Sequence, residues 1–264
     1  MNNNLYEKVA PVVKKAGALL LSFYNKNIHT VKKGDGSFVT EADKKVETFL
    51  VQELTGIVSS ASFYSEENFS DITSLDSDYC WVIDPLDGTT NFLHSIDYFC
   101  ISVALVYKKK PIFGVIYNPI TDELFYGQKG EGAFFIKNDK KTRIINDKDV
   151  FLSSSIAVVS PIFNKQRYGR YSKTIKKIAS TFYTTRFYGA IALDLAYIAI
   201  RRFQAAFYVN AAWWDYAAAT IILQESGCKI TSFNAQTPSR ESKIIVAANK
   251  AIYKQLLSLL KVDD

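Results

Sequence analysis

The residues best suited to chemistry lie in one stretch, Trp81-Val-Ile-Asp-Pro-Leu-Asp-Gly-Thr-Thr-Asn-Phe92. An apolar run delivers Asp84, and Asp87 follows three residues later across Pro85. Proline fixes φ and removes a backbone donor, so the chain is expected to leave a strand sharply here. Two carboxylates can then face one point, with the Leu86 carbonyl between them as a third oxygen. Gly88-Thr89-Thr90 comes next, and a glycine beside free backbone N–H groups at the start of a helical turn is a cradle for phosphate. One short loop therefore offers ligands for a cation and a seat for an anion. Isolated Asp-Pro and Asp-Gly turns are common; the composite, at the end of an apolar strand, is not.

Two further acidic positions belong with it. Glu66 and Glu67 end the run Ala61-Ser-Phe-Tyr64, and Asp215 follows Trp213-Trp214 at the start of an apolar helix. The helix dipole stabilises a carboxylate at that position without a paired cation. With two histidines and three scattered cysteines in 264 residues, nitrogen and sulfur ligands are scarce. A metal site would have to be built from oxygen, which suits hard divalent cations such as Mg2+. A phosphate monoester repels nucleophiles by its own charge, and cations that neutralise it remove the need for a Ser/His/Asp or Cys nucleophile.

The elements that must position these groups follow from periodicity. Apolar residues from Leu5 to Phe23 recur at helical spacing. A turn-rich loop spans residues 33–37, and a second helix runs from about Glu41 to Leu54 behind Thr40 as N-cap. Tyr79 to Ile83 reads as a short strand. Runs at 99–107, 112–117, 123–126 and 133–136, split by turn residues, read as an antiparallel meander. Beyond about Val150 strands and helices alternate: strand 156–159, helix 171–180, strand 182–188, helix 190–202, strand 205–209, helix 214–226, strands 229–233 and 243–247, and helix 250–260. The expected organisation is an α+β body of two closely packed sub-domains, 1–150 and 151–264.

Composition limits the alternatives. Apolar residues make up 48% of the chain, enough for a large core, and the formal charge is +6. Basic residues are scattered, with short runs at Lys108–Lys110 and Lys140–Lys141, which fits an anionic small substrate or a weak nonspecific attraction to nucleic acid; no RNA-binding motif or concentrated basic stripe accompanies them. Cys80, Cys100 and Cys228 sit in apolar company and suggest no disulfide framework. The first residues lack a signal-peptide pattern, and no apolar stretch approaches the ~20 residues of a membrane span. A soluble, cytoplasmic protein with no membrane partner is expected.

These motifs resemble the inositol monophosphatase family of lithium-sensitive, magnesium-dependent phosphatases. Asp84-Pro-Leu-Asp-Gly-Thr-Thr90 and Trp214-Asp-Tyr-Ala-Ala218 look like its two signatures. Val39-Thr-Glu-Ala-Asp43, Ser65-Glu-Glu67 and Gly189-Ala-Ile-Ala-Leu-Asp194 look like its early loop, its metal-binding Glu segment and its substrate-side helix start. The resemblance implies a layered αβαβα sugar-phosphatase fold shared with fructose-1,6-bisphosphatase. It implies two or three Mg2+ held by Glu66, Asp84, the Leu86 carbonyl, Asp87 and Asp215. Glu66 and Thr89 would activate water, with Asp43 orienting Thr89, and the N–H groups of Gly88 and Thr89 would hold phosphate. Substrate contacts would fall at Asp87, Gly189, Ala190, Ile191 and the position of Tyr208, and a homodimer would be usual.

The chain departs from the pattern in places. Ala219 replaces a Gly after Trp-Asp-x-Ala-Ala. Tyr208 stands where inositol-specific members carry a Glu that reads sugar hydroxyls, and Arg201-Arg202 where a small residue and one Arg are usual. The expected activity is Mg2+-dependent hydrolysis of inositol 1-phosphate or a related sugar or polyol phosphate. The alternatives are fructose-1,6-bisphosphate, a 3′-phosphonucleotide or NADP as substrate, or a binding protein of RNA or transcription complexes that keeps the fold. Arg186 is open to three readings: substrate phosphate, a neighbouring subunit, or an ordinary ion pair.

Overall fold

The computed structural model describes residues 5–26, 28–32, 34, 38–67, 77–160 and 165–260, so most of the loop expected at 33–37 lies outside the described residues. Its elements stack in five layers. The first holds α1 (Leu5–Leu21) and α2 (Glu41–Thr55). The second is a seven-stranded sheet of β3 (Ser62–Ser65), β4 (Tyr79–Asp87), β5 (Cys100–Tyr107), β6 (Lys110–Asn118), β7 (Glu123–Gln128), β8 (Gly132–Lys137) and β9 (Lys140–Ile144), in sequence order. Only β3–β4 is parallel. The third layer is α5 (Ile191–Ala199) and α6 (Trp213–Ser226). The fourth is a mixed sheet of β10 (Ile156–Val159), β11 (Thr184–Arg186), β12 (Ala205–Val209), β13 (Lys229–Ser232) and β14 (Ile244–Ala248), ordered β11-β10-β12-β14-β13. Helices α4 (Lys165–Thr181) and α7 (Lys250–Leu260) close the far side. A small hairpin of β1 (Thr30–Lys32) and β2 (Phe38–Thr40) and the short helix α3 (Thr89–Leu93) complete the chain.

The period-2 alternation of the strands sorts residues into three cores. Trp81, Ile83, Ile101, Val103 and Leu105 face α1 and α2, and Cys80, Val82, Cys100, Ala104 and Val106 face α5 and α6. On the second sheet, Ala206 and Tyr208 point to the central helices, whereas Ala205 and Phe207 point to α4 and α7. Helix α6 is apolar on nearly every side because a sheet lies on each side of it. It approaches the first sheet over Gly114 and Gly127, where an added Cβ would stand 2.5 Å from Ala218 O and 2.8 Å from Ile222 Cα.

The structure corrects several sequence expectations. Strand β4 does not stop at Ile83 but runs to Asp87. Asp84 pairs with Ser102 and Asp87 with Cys100, so three steps on β4 oppose two on β5. Pro85 sits in this bulge, where its missing N–H costs no ladder bond. Helix α4 starts at Lys165 rather than Tyr171, β11 covers only Thr184–Arg186, and α5 ends at Ala199 rather than Arg202. Strand β9 was not legible: four of its five residues are exposed, so an edge strand carried no apolar alternation. Helices α4 and α7 pack together, with eight Lys and Arg between them and no acid.

Buried Glu123 on β7 links the first sheet to the central helices, accepting from Tyr197 Oη at 2.8 Å, Arg202 Nη1 at 2.7 Å and Lys137 Nζ at 2.9 Å. Burial would raise its pKa, but these donors hold it down to about 2.

Candidate active site

The bulge in β4 makes the site. It leaves Asp84, the Leu86 carbonyl and Asp87 at the end of one strand, and a cavity of about 180 Å3 is lined there by Glu66, Asp84, Leu86, Asp87, Thr89 and Asp215. Gly88, Thr90, Gly189 and Phe38 complete the wall, with no lysine or arginine among these residues. Gly88 has φ +98, and a Cβ there would meet Tyr98 O at 3.0 Å, so the turn into α3 needs glycine twice over.

Backbone N–H groups aim four of the carboxylates, Asp84, Asp87, Asp215 and Asp43. Asp84 Oδ1 accepts from Leu86 N at 3.0 Å. Asp87 accepts from Ile191 N at 3.0 Å and Ala192 N at 2.7 Å, so the first turn of α5 clamps it. Asp215 accepts from Ala212 N at 2.7 Å at the start of α6. Asp43 is the N3 residue of a capping box: Thr40 N–H donates to it at 2.8 Å and the Thr40 hydroxyl also donates to it. Its other oxygen lies 3.4 Å from Thr89 Oγ1, which also bonds Leu86 O at 3.1 Å. Five segments distant in sequence thus meet at one cavity.

The electrostatics are unfavourable for this chain alone. Burial, then the charges of Glu66, Asp87 and Asp215, push Asp84 well above the usual carboxylate range. Asp215 is likewise raised, first by burial and then by Asp87. Burial lifts Asp87 to about 7 against the opposing N–H groups of Ala192 and Ile191, and lifts Asp43 to about 6 against the bonds from Thr40. Among the described residues, no three acidic, histidine or cysteine side chains form a preformed ligand cage. Among the described residues the donor set is nonetheless oxygen-only, acidic and without a basic partner in the lining, which fits a hard divalent cation.

Of the other expected residues, Gly189 lines the cavity at φ +84, Ala190 is buried, and Ile191 contributes its N–H to Asp87. Tyr208 is fully buried and does not line the cavity; its hydroxyl, and that of Tyr98, donate to the buried carboxylate of Asp194. Arg186 is exposed and donates to Thr185 O at 2.9 Å and to the Thr184 hydroxyl, with no ion pair among the described residues.

Sequence reasoning missed two positioning residues. Glu47, wholly buried on α2, accepts from the Ser65 hydroxyl and from Glu67 N at 3.2 Å, fixing the segment that carries Glu66. An acid on the apolar stripe of α2, between Val46 and Leu50, was the available signal. Asn91 Nδ2 donates to Tyr98 O and Tyr188 O, both at 2.7 Å, holding the approach to Gly189. Nothing in the local pattern marked it.

Fold and site together define a five-layer α+β protein with an acidic, oxygen-only pocket at a phosphate-type turn. The chain belongs to the inositol monophosphatase family, whose model matches residues 1–262, and so to the phosphoric monoester hydrolases. An inositol-1-monophosphatase of Caulobacter vibrioides is 36% identical over 232 residues, covering 87% of this chain and 90% of that one. A Nus factor SuhB of Vibrio cholerae is 33% identical over 238 residues, covering 89% and 86%. The crystal structure of the extragenic suppressor protein suhB of Bartonella henselae superposes with a TM-score of 0.89 at 34% identity, covering 99% of this chain and all of that one. Among the described residues no helix is long and apolar enough to cross a membrane.

Proposed function

We propose that this chain is a Mg2+-dependent phosphomonoesterase acting on a small sugar or polyol phosphate, inositol 1-phosphate being the leading candidate. The observation that carries this reading is the convergence of Glu66, Asp84, Asp87 and Asp215 on a cavity whose wall is the Gly88-Thr89 turn. Glu66, Asp84, the Leu86 carbonyl, Asp87 and Asp215 would hold two or three Mg2+. Bound there, the cations neutralise phosphate charge, lower the pKa of the attacking water and stabilise the departing alkoxide. The chain's own residues do the rest. The N–H groups of Gly88 and Thr89 seat the phosphate. The Glu66 carboxylate would take the proton of the attacking water, and Thr89 Oγ1, steered by Asp43, would orient that water by accepting a hydrogen bond from it. Asp87 and residues 189–191 orient the alcohol portion, and Tyr208 acts on them from behind through Asp194. A cytoplasmic homodimer accords with family habit and with exposed rings such as Phe151, Tyr183 and Phe187.

The test is inorganic phosphate release from inositol 1-phosphate, glycerol 2-phosphate, fructose-1,6-bisphosphate, phosphoadenosine phosphate and NADP, with Mg2+ and with EDTA. Turnover that needs Mg2+ and falls about a thousandfold in Asp84→Asn is expected, a loss of about 4 kcal/mol of transition-state stabilisation. Release of phosphate from none of these esters by folded, Mg2+-loaded protein overturns the reading. The Nus factor relatives support a second reading, assembly with a transcription complex, which co-purification with RNA polymerase would test.

A further inference from the structure

A second cavity, of about 670 Å3, shares no residue with the acidic one. It lies between the loop at 145–149, the end of α6, the start of β13 and the first turn of α7, and its size falls in the range of small-molecule sites, roughly 300–1,000 Å3. Its floor is rigid. Buried Asn146 and Asn249 bond each other, Asn146 Nδ2 donates to Ile198 O at 2.9 Å, and Asn249 Oδ1 accepts from Ala251 N at 2.8 Å.

Its rim is cationic. Lys148, Lys229, Lys250 and Lys254 all line it, all are exposed, and none is paired with a carboxylate among the described residues. Among the described residues two acids share the lining, Asp149 and Asp147, the latter 3.9 Å from Arg201 Nη1. Four lysines against two aspartates leave the lining with a net positive charge that favours an anionic ligand. One wall is apolar: Ile145 is 59% exposed beside the Tyr253 ring, whose hydroxyl is held by Thr231 Oγ1 at 2.7 Å. Four ammonium groups spread over a loop, a strand and a helix exceed what one phosphate can neutralise, and a fixed ring beside them suits a flat base.

The geometry points to a second binding site, one that takes a nucleoside polyphosphate, with its phosphates on the four lysines and its base against Tyr253 and Ile145. The site stands independently of the proposed phosphatase activity. Calorimetric titration with ADP in EDTA tests it, using wild type, Asp84→Asn, and the double variant Lys250→Glu/Lys254→Glu. Saturable binding near one per chain is expected, equal in Asp84→Asn, weakened at least tenfold by the double variant and weakened by salt. Inorganic phosphate should bind at least tenfold more weakly than ADP. If the double variant melts below wild type, Lys148→Ala/Lys229→Ala replaces it, with the same loss expected. Absence of saturable ADP binding in the millimolar range, or equal binding by the lysine variants, overturns the proposal. So does loss in Asp84→Asn alone, which would place ADP in the acidic cavity. Tighter binding of a short single-stranded RNA through the same lysines would overturn the small-molecule class.

Discussion

Thr89 is held between Leu86 O and Asp43, so its hydroxyl is a positioned group and not a free rotor. Thr89→Ala should lower kcat about a hundredfold with little change in KM, and Thr89→Ser should restore most of it, as steady-state kinetics will show. A loss confined to KM would mean that Thr89 only binds. Asp194 makes a different prediction. Burial lifts its carboxyl to about 7, against the bonds from Tyr208 and Tyr98. A folded-state pKa above the unfolded value of 3.8 means a contribution to stability present below pH 4 and lost as pH climbs to about 7. Asp194→Asn should therefore reduce the loss of stability between pH 4 and 7 by up to a few kcal/mol, read as a shallower fall of the melting temperature, with Asp43 and Asp87 supplying the remaining slope. An unchanged slope in thermal melts would remove Asp194 from the pH response.

At the scale of elements, α6 is the part that must fit. It carries Asp215 in its first turn and lies on the first sheet where Gly114 and Gly127 leave room. A Cβ on Gly114 would meet the backbone of Ala218, three residues from Asp215, and no side-chain rotation relieves that contact. Gly114→Ala should destabilise by about 1–3 kcal/mol and lower turnover together, because the helix must shift to accept the methyl group. A drop in melting temperature with full activity would show that the shift does not reach Asp215. The same reasoning explains what was legible. Asp-Pro-x-Asp-Gly-Thr marked the loop, and helical and alternating periods marked most elements, because burial on one face imposes those periods. Strand β9 and the residues Glu47 and Asn91 were not legible: β9 buries almost nothing, and the other two act on partners distant in sequence.

The fold gathers acids from β4, α6 and the Glu66 segment, and among the described residues none in the cavity lining is a basic partner to them. With Asp87 lifted to about 7 and Asp84 and Asp215 raised as well, a divalent cation must displace protons to bind. Mg2+ should raise the melting temperature more at pH 8 than at pH 6, and should release protons in unbuffered solution near neutrality. Equal stabilisation at both pH values, measured by calorimetry, would mean these carboxylates are not the ligands. The outer layer has the opposite sign. There Lys148, Lys229, Lys250 and Lys254, drawn from a loop, a strand and a helix, come together around a second cavity.

By itself the sequence determined the family and the layered class, because motif spacing and hydrophobic period are local properties of the chain. Tertiary structure alone decided that β4 bulges instead of ending, since pairing with β5 holds the strand past Pro85. It decided that Tyr208 turns inward to Asp194, because the alternation of β12 points that side chain at α5 and away from the acidic cavity. It also decided which charges become neighbours. Coulomb interactions depend on distances in space, and the order of residues does not give those distances until the layers are stacked.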